Sequence, residues 1–352
     1  MRSYGLSSAL KYSYSNARVK AMRSRLLTNE QMRQIFDAKD ESTILSVLMQ
    51  TDYRQDLEEY GGMSIKSQLV DFALSNNIAR NMELLNRVAP KEDKEMMRSI
   101  TGSFEISNIK LAMHAKARNI PFESISRYIV GTGQYGKENI KQLMQENTVE
   151  MMISRFMINS PYASMLQETL DEYRRSSNIA TAVYAMERAY YNMLASLSVE
   201  VAKHDANVAQ VIKHSIDMHN IILAFRAKER SIKAEEMSGV FANGGSIAQA
   251  KLLDAYNSAA NLENLINSTN LFEMGKAYDI YKNTGQMLAF EMSMRRQLFN
   301  AATTSVAHEV FSFGSIAYYA YVKEMEALSI RSALKNVEYG IDREILELLF
   351  SG

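Results

Sequence analysis

Residues that break helices are rare in this sequence, which has only 3 prolines and 15 glycines among its 352 residues. Proline removes a helical hydrogen bond and glycine loses the most conformational freedom on folding, so their scarcity leaves long stretches free to form helices. Ala, Met, Leu, Glu, Lys and Arg, which favour helices, are plentiful, and no long segment alternates apolar and polar residues as a strand does. The sequence therefore predicts an all-α fold.

Two of the prolines lie where helices are predicted to begin. Ser160 and Pro161 fit an N-cap followed by the first helical position. Pro90 precedes the acidic first turn formed by Glu92 and Asp93.

Apolar residues near residue 340 recur at steps of three and four, which predicts one apolar face of a helix. They are Ile330, Ala333, Leu334, Val337, Ile341, Ile345, Leu348 and Leu349.

Length, charge and cysteine content limit the classes of function that are open to the chain. It is about twice as long as a typical single domain, and its 40 basic and 40 acidic residues give no net field that would attract nucleic acid. The absence of cysteine excludes disulfides and thiolate chemistry and fits a reducing cytosol. The longest uncharged stretch, residues 310–322, is shorter than the ~20 residues of a membrane helix. We expect a soluble or peripheral protein without a membrane span.

One motif occurs three times along the chain. Residues 105–116 (EISNIKLAMHAK) match residues 217–228 (DMHNIILAFRAK), and residues 326–335 (EALSIRSALK) form a third copy. Each copy begins with an acid and has a small polar residue three positions later: Glu105 with Asn108, Asp217 with Asn220, and Glu326 with Ser329. An aromatic residue recurs at a similar interval, at Tyr53, Tyr162 and Phe272. The period of roughly 110 residues has the size of a domain.

The repeat predicts three related helical domains, at residues 1–130, 131–243 and 244–352, each closing with the acid-led helix. Residues 21–25 (AMRSR) resemble residues 112–116 (AMHAK) more weakly. We therefore expect the N-terminal helix to pack beside the last repeat.

A glycine string raises the possibility of nucleotide binding. Residues Gly131, Gly133 and Gly136 have the G-x-G-x-x-G spacing of a dinucleotide loop. No strand-helix-strand pattern surrounds them, and the junction between the second and third repeats also carries glycines, Gly244 and Gly245. We interpret the string as a linker between repeats and expect no nucleotide cofactor. The chain also lacks the G-K-[ST] sequence of a P-loop, so no nucleotide hydrolysis is expected.

The five histidines do not form a recognisable catalytic or metal site. Neither H-E-x-x-H nor G-x-S-x-G occurs. The nearest groupings are Glu200 with His204, His214 with Asp217 and His219, and His308 with Glu309. We expect structural or solvated roles for them, with no metal and no catalytic residue.

Basic residues in and after each copy of the motif are the candidate functional residues. They are Lys110, Lys116 and Arg118; Arg226, Lys228 and Arg230; and Arg331 and Lys335. Equivalent basic helix ends on three related domains would form a repeated contact surface for a partner. The alternative is that they form solvated helix faces stabilised by i,i+4 pairs.

Three segments resemble a known family. Residues 12–27 (YSYSNARVKAMRSRLL), 324–331 (EMEALSIR) and 340–346 (GIDREIL) are similar to the C subunit of the archaeal and bacterial A/V-type ATPases, which is homologous to the d subunit of the eukaryotic V-ATPase. The resemblance extends over essentially the whole chain. It departs at Ser15, where a valine-like residue is expected, and at Ser329, where the other two copies of the motif have asparagine.

The resemblance implies an all-helical funnel with pseudo-threefold symmetry on the cytoplasmic side of the membrane. Such a protein sits on the rotor ring of proteolipid subunits, receives the foot of the central shaft and transmits rotation between them. It implies a peripheral protein, monomeric in isolation, with no catalytic residue and no cofactor. The alternatives are a free-standing cytosolic helical scaffold and, less favoured, a metal-dependent enzyme.

Overall fold

The computed structural model describes residues 6–203, 205–229, 231–233, 237, 239–257, 264–265, 278–279, 281–283, 285, 290–291, 294–295 and 312–339. These residues form helices, turns and short irregular segments, and none of them is in a strand, which confirms the predicted all-α class. The chain divides into two compact units, the first formed by residues 1–186 and 311–342 and the second by residues 187–310 and 343–352. The three domain boundaries drawn from the repeat remain a prediction.

The helices of the first unit are α1 (Leu6–Arg23), α2 (Asn29–Phe36), α3 (Glu41–Leu48), α4 (Arg54–Glu59), α5 (Lys66–Val88), α6 (Lys94–Ala117), α7 (Phe122–Ile125), α8 (Lys137–Leu143), α9 (Val149–Phe156), α10 (Ala163–Ser176) and α14 (Gly314–Tyr339). Helix α11 (Ile179–Ala202) contributes residues to both units, and α12 (Ala206–Glu229) and α13 (Gln249–Asn257) belong to the second. Short 3-10 turns occupy Lys91–Asp93 and Ser126–Tyr128.

Side-chain caps determine where several of these helices begin. The Thr28 hydroxyl accepts from the Gln31 N–H, and the Gln31 side chain accepts from the Thr28 N–H, which is a complete capping box before α2. Asp40 caps α3 through the Thr43 N–H at 2.8 Å, and Thr148 caps α9 through the Met151 N–H at 3.1 Å. Each cap satisfies a backbone donor that has no partner inside its helix.

The predicted starts at the prolines have different outcomes. Pro90 directly precedes the 3-10 turn that leads into α6, as expected. The prediction at Ser160 was wrong, because α10 begins at Ala163, and Pro161 lies in a turn before it. The Ser160 hydroxyl accepts from the Tyr162 N–H at 3.0 Å, so it caps this turn rather than the helix.

Helix α14 is the central element of the first unit. It packs against α1, α2, α3, α5 and α6, and every described side chain from residue 312 to 338 is buried or half-buried. Its apolar residues Ile330, Ala333 and Leu334 lie in the core, as the periodicity predicts. The predicted residues Ile341, Ile345, Leu348 and Leu349 lie outside the described residues.

The N-terminal helix packs beside α14, which confirms the expectation drawn from its partial similarity to the motif. The Ser315 hydroxyl donates to the Asn16 side-chain oxygen. Further along, the Arg23 guanidinium lies 4.8 Å from the ring centre of Tyr318. The order of these contacts shows that α1 and α14 run in the same direction.

A buried ion pair lies in the middle of α14. Lys323 is only 1% exposed, and its ammonium lies 2.7 Å from a carboxylate oxygen of Glu326. The same ammonium is 4.2 Å from the ring centre of Tyr53, where the aromatic face attracts a cation. Removing one partner would leave a buried charge uncompensated, which is far more costly than breaking an exposed pair.

We predict that Lys323→Met lowers the free energy of unfolding by about 3–5 kcal/mol, because the Glu326 carboxylate then loses its buried cation. Urea unfolding followed by circular dichroism measures the change. The matched control is Lys203→Met, which breaks an i,i+3 pair with Glu200 in which both side chains are more than half exposed. We expect less than about 1 kcal/mol from the control. Equal losses in the two variants would contradict a structural role for the Lys323 pair.

Candidate functional site

The acid that opens each copy of the repeated motif is buried. Glu105 on α6 is 4% exposed, Asp217 on α12 is 0% exposed and Glu326 on α14 is 7% exposed. A buried carboxylate is stable only where donors reach it. The donors that reach these three acids therefore indicate the structural role of the repeated motif.

Each buried acid accepts a hydrogen bond from a backbone N–H that lies two residues before a helix begins. The pairs are Tyr135 N–H to Glu105 at 3.3 Å before α8, Ile247 N–H to Asp217 at 3.0 Å before α13, and Leu27 N–H to Glu326 at 2.6 Å before α2. We call each acid with the N–H groups that reach it a junction. Helix N-termini carry partial positive charge, so a carboxylate placed there is stabilised as well as satisfied.

Tyrosine hydroxyls complete two of the three junctions. The Tyr162 hydroxyl donates to Glu105 at 2.7 Å, and the Tyr53 hydroxyl donates to Glu326 at 2.9 Å. Burial, reinforced by the neighbouring carboxylate, raises the pKa of each tyrosine, so both hydroxyls keep the proton that they donate. These are the aromatic residues that recur in the sequence, and Phe272, the third of them, lies outside the described residues.

Asparagines three residues after the acid hold the same linkers. Asn108 donates to the Val130 carbonyl at 2.7 Å and accepts from the Val130 N–H at 3.2 Å. Asn220 makes the same pair of bonds with Ala242, both at 2.9 Å. Val130 and Ala242 each lie five residues before the junction N–H, and the residue five before Leu27 is Met22, which lies within α1. Its backbone groups already have helical partners, which explains why Ser329 suffices in the third copy.

The glycine string lies in the linker between α6 and α8, next to the first junction. Gly133 has φ +59°, and a Cβ at this position would lie 2.1 Å from a carboxylate oxygen of Glu105. In the second junction, a Cβ on Gly245 would lie 2.1 Å from Asp217. These glycines let the linker approach a buried carboxylate closely, and no strand-helix pattern for a dinucleotide surrounds them in the described part of the chain.

The histidines near Asp217 are part of the packing of the second unit. Burial lowers the pKa of His214, and burial raises the pKa of Asp217 although the Ile247 and Ser246 N–H groups oppose that rise. The His219 ring stacks on Tyr191 with 4.0 Å between centres. No cluster of three or more ligating side chains suitable for a metal occurs in the described ranges. His204, His308 and Glu309 lie outside them.

Most of the candidate contact residues have partners within the chain. Lys110 is half-buried and has a partner within the chain, Arg118 is exposed, and Arg230 lies outside the described residues. The other five bind neighbouring groups: Lys116 the Met144 carbonyl at 3.0 Å, Arg226 the Glu291 carboxylate at 2.5 and 2.6 Å, Lys228 the Tyr256 carbonyl at 2.9 Å, Arg331 Asp71 at 3.0 Å, and Lys335 Glu338 at 2.5 Å.

Two of these interactions connect distant parts of a unit. Arg331 on α14 reaches Asp71 on α5, which is 1% exposed, and Arg127 lies 3.7 Å from the same carboxylate. Burial lowers the pKa of Lys228, whose ammonium holds the end of α13. Four of the basic residues, Lys116, Arg226, Lys228 and Arg331, therefore bind other segments of their own unit. That the basic residues form a contact surface for a partner stays a prediction.

The sequence did not allow the buried ion pairs of Lys323 and Asp71 to be predicted. Lys323 stands three residues before Glu326, a spacing that places both on one helix face, but the spacing does not tell a buried pair from an exposed one. Asp71 has no sequence signal, because its partners Arg127 and Arg331 come from distant segments.

No described helix has the length and apolar character that would let it span a membrane.

Comparison with known proteins gives one family and several relatives. The family model described as ATP synthase (C/AC39) subunit matches residues 15–348. The C subunit of the A-type ATP synthase of Methanocaldococcus jannaschii is 25% identical over 346 residues, covering 97% of this chain and 86% of that relative. The subunits of the same name from Thermoplasma acidophilum and Thermococcus kodakarensis are 21% and 25% identical, covering 96% of this chain in each case and 97% and 89% of the relatives.

We predict that Gly133→Ala lowers the free energy of unfolding by about 2 kcal/mol or more, because Ala disfavours positive φ and its Cβ would collide with Glu105. Gly62→Ala is the matched control, since no heavy atom lies within 4 Å of a Cβ there. It should change the free energy by no more than about 1 kcal/mol. Urea unfolding of both variants tests this, and a neutral Gly133→Ala would mean that the linker does not depend on close approach.

Proposed function

This chain belongs to the ATP synthase (C/AC39) subunit family, and we propose that it is a non-catalytic adaptor that couples the membrane rotor ring to the central shaft of a rotary ATPase. Ion flow through the ring would turn the adaptor and the shaft during ATP synthesis. ATP hydrolysis would drive the same parts in reverse. The observation that carries the proposal is the family match over residues 15–348, together with relatives named as the C subunit of A-type ATP synthase.

The junctions support a mechanical role. An element that transmits torque must resist deformation, and each junction ties one acid-led helix to the start of another helix through a buried carboxylate. Opening such a contact exposes or orphans a buried charge, which is energetically expensive. Three equivalent junctions would distribute the load over the repeats.

The proposal gives the chain no catalytic residue, so nucleotide chemistry belongs to other subunits of the complex. It also places the chain at the cytoplasmic side of the cell membrane, held there by its partner subunits rather than by a span. Its partners would be the proteolipid subunits of the ring and the subunits of the shaft.

Deleting the gene should separate ATP hydrolysis from ion transport. We expect the catalytic head to keep hydrolysing ATP while membrane vesicles lose ATP-driven uptake of H⁺ or Na⁺, because rotation no longer reaches the ring. The control is the deletion strain complemented with the unchanged chain. If coupled transport persists without the chain, and a tagged chain purifies without ATPase subunits, the free-standing scaffold is the better description.

The basic helix ends are tested by charge reversal. We expect Arg118→Glu at the exposed end of α6 to weaken binding to the ring or the shaft, and to do so most at low salt, since exposed charges act only over a Debye length of ~8 Å at physiological salt. Arg226→Glu with Lys228→Glu tests the second repeat, but both residues have internal partners. Circular dichroism must therefore first show that α12 survives.

Binding of each variant to the purified ring and to the purified shaft is measured separately. A single exposed pair contributes only about 0–1 kcal/mol, so we expect Arg118→Glu alone to weaken binding by no more than about that amount. If both partners bind every variant as tightly as the unchanged chain at low and high salt, the basic residues are solvated or structural.

A further inference from the structure

We propose that the exposed face of α1 docks an acidic amphipathic helix of a neighbouring protein in the complex. The inference rests on the proposed function, because it assumes that the chain works inside a larger complex. It is carried by three observations on α1: a second apolar stripe, the exposure of that stripe, and a one-sided charge.

Helix α1 has two apolar stripes on opposite faces. One consists of Tyr12, Val19 and Met22, with the polar Ser15 on the same face, and all four are at most 8% exposed. This stripe packs into the first unit, where the Ser15 hydroxyl donates to the Val88 carbonyl at 2.5 Å. A helix of an isolated protein needs only one such stripe.

The second stripe faces away from the unit. Leu10 and Tyr14 are 75% and 65% exposed, the two highest values for large apolar side chains in the described part of the chain. Ala17 and Ala21 are exposed on the same face. The 4-3-4 spacing of these residues is that of a seam between two packed helices.

The charge of residues 1–29 indicates which kind of partner would cover the second stripe. Residues 1–29 contain the basic residues Arg2, Lys11, Arg18, Lys20, Arg23 and Arg25 and no acidic residue, although the whole chain has zero net charge. On α1 itself, a partner that covers the stripe therefore meets basic side chains and no acidic ones.

Arg2 lies outside the described residues, and two of the other five cations remain for a partner. Lys11 is 2.7 Å from Asp93, Arg25 is 3.9 Å from Asp52, and Arg23 lies over Tyr318. Arg18 and Lys20 are exposed, stand on opposite sides of the second stripe, and form no ion pair with any described residue. A helix with apolar residues along its centre and Asp or Glu on both flanks matches this arrangement.

A membrane surface is the less favoured occupant. A helix that lies in a bilayer interface needs a broad face of large apolar residues. Two of the four residues on this stripe are alanines, which contribute little apolar area but let a second helix approach closely. We therefore propose that a protein helix covers the stripe. The crosslinking experiment distinguishes this helix from lipid.

The test places a photoreactive side chain on the stripe within the assembled ATPase. Tyr14→p-benzoylphenylalanine is compared with Ile65→p-benzoylphenylalanine, since Ile65 is also apolar and exposed in the first unit but lies off α1. After irradiation, mass spectrometry should map the Tyr14 crosslinks to a helical segment of another subunit that is rich in Asp and Glu, and the Ile65 crosslinks should not map there.

A charge variant provides an independent measurement. Arg18→Glu with Lys20→Glu should weaken binding of the full chain to the rest of the purified complex by at least about tenfold at low salt. Lys39→Glu with Lys141→Glu makes the same charge change at exposed sites that lie off α1 and off the 88–93 segment packed on it, and should have less than about a twofold effect.

The outcomes separate this inference from the proposed function. If the unchanged chain does not bind the other ATPase subunits, the proposed function fails. If the unchanged chain binds, but Tyr14 crosslinks only to lipid, to this chain or to a segment without acidic residues, the docking inference is overturned. Equal binding of the two charge variants overturns it as well.

Discussion

Each of the three helices that carry the repeated motif depends on a buried carboxylate, which accepts a hydrogen bond from the backbone at the approach to another helix. Glu105, Asp217 and Glu326 are each almost inaccessible to water, so the N–H groups that reach them replace the solvation that folding removes. Because those N–H groups stand at the approach to a helix, each acid sets where one helix begins relative to another. Glycines in the linkers let the backbone come close to the carboxylate. Asparagines on the same helices as the acids bind the remaining backbone groups of the linkers.

The three junctions are not equally reinforced. Glu326 receives a buried lysine, a tyrosine hydroxyl and a backbone N–H, and Glu105 receives a tyrosine hydroxyl with backbone N–H groups. Asp217, one methylene shorter, is held by the N–H groups of Ser246 and Ile247. Among the contacts of the described residues, the junction at Glu326 on α14 therefore has the greatest variety of polar partners.

The sequence allowed the class of fold, the family and the repeated acid to be predicted, because helix breakers and motif spacing are local signals. The family match confirms the resemblance, and the pairing of α1 with α14 confirms the partial similarity of residues 21–25 to the motif. The bond between Tyr162 and Glu105 was not predicted, although both residues stand out in the repeat, since the direction of a side chain depends on packing. The basic helix ends illustrate the same limit: Arg226 and Arg331 bind acids far away in sequence, which spacing within one helix does not reveal. The start of α10 was misplaced because a serine-proline pair also suits a turn.

The position of α14 has a consequence for how the protein is made. Tyr53 and Leu27 find their acceptor in Glu326, 273 and 299 residues later in the chain. At a translation rate of roughly 5–20 residues per second, Tyr53 waits about 14–55 s on the ribosome before its partner exists. During that interval α1, α2, α3 and α5 expose the apolar surfaces that α14 later covers. Because residues 187–310 separate the two parts of the first unit, its early helices must stay unaggregated until α14 has been synthesised.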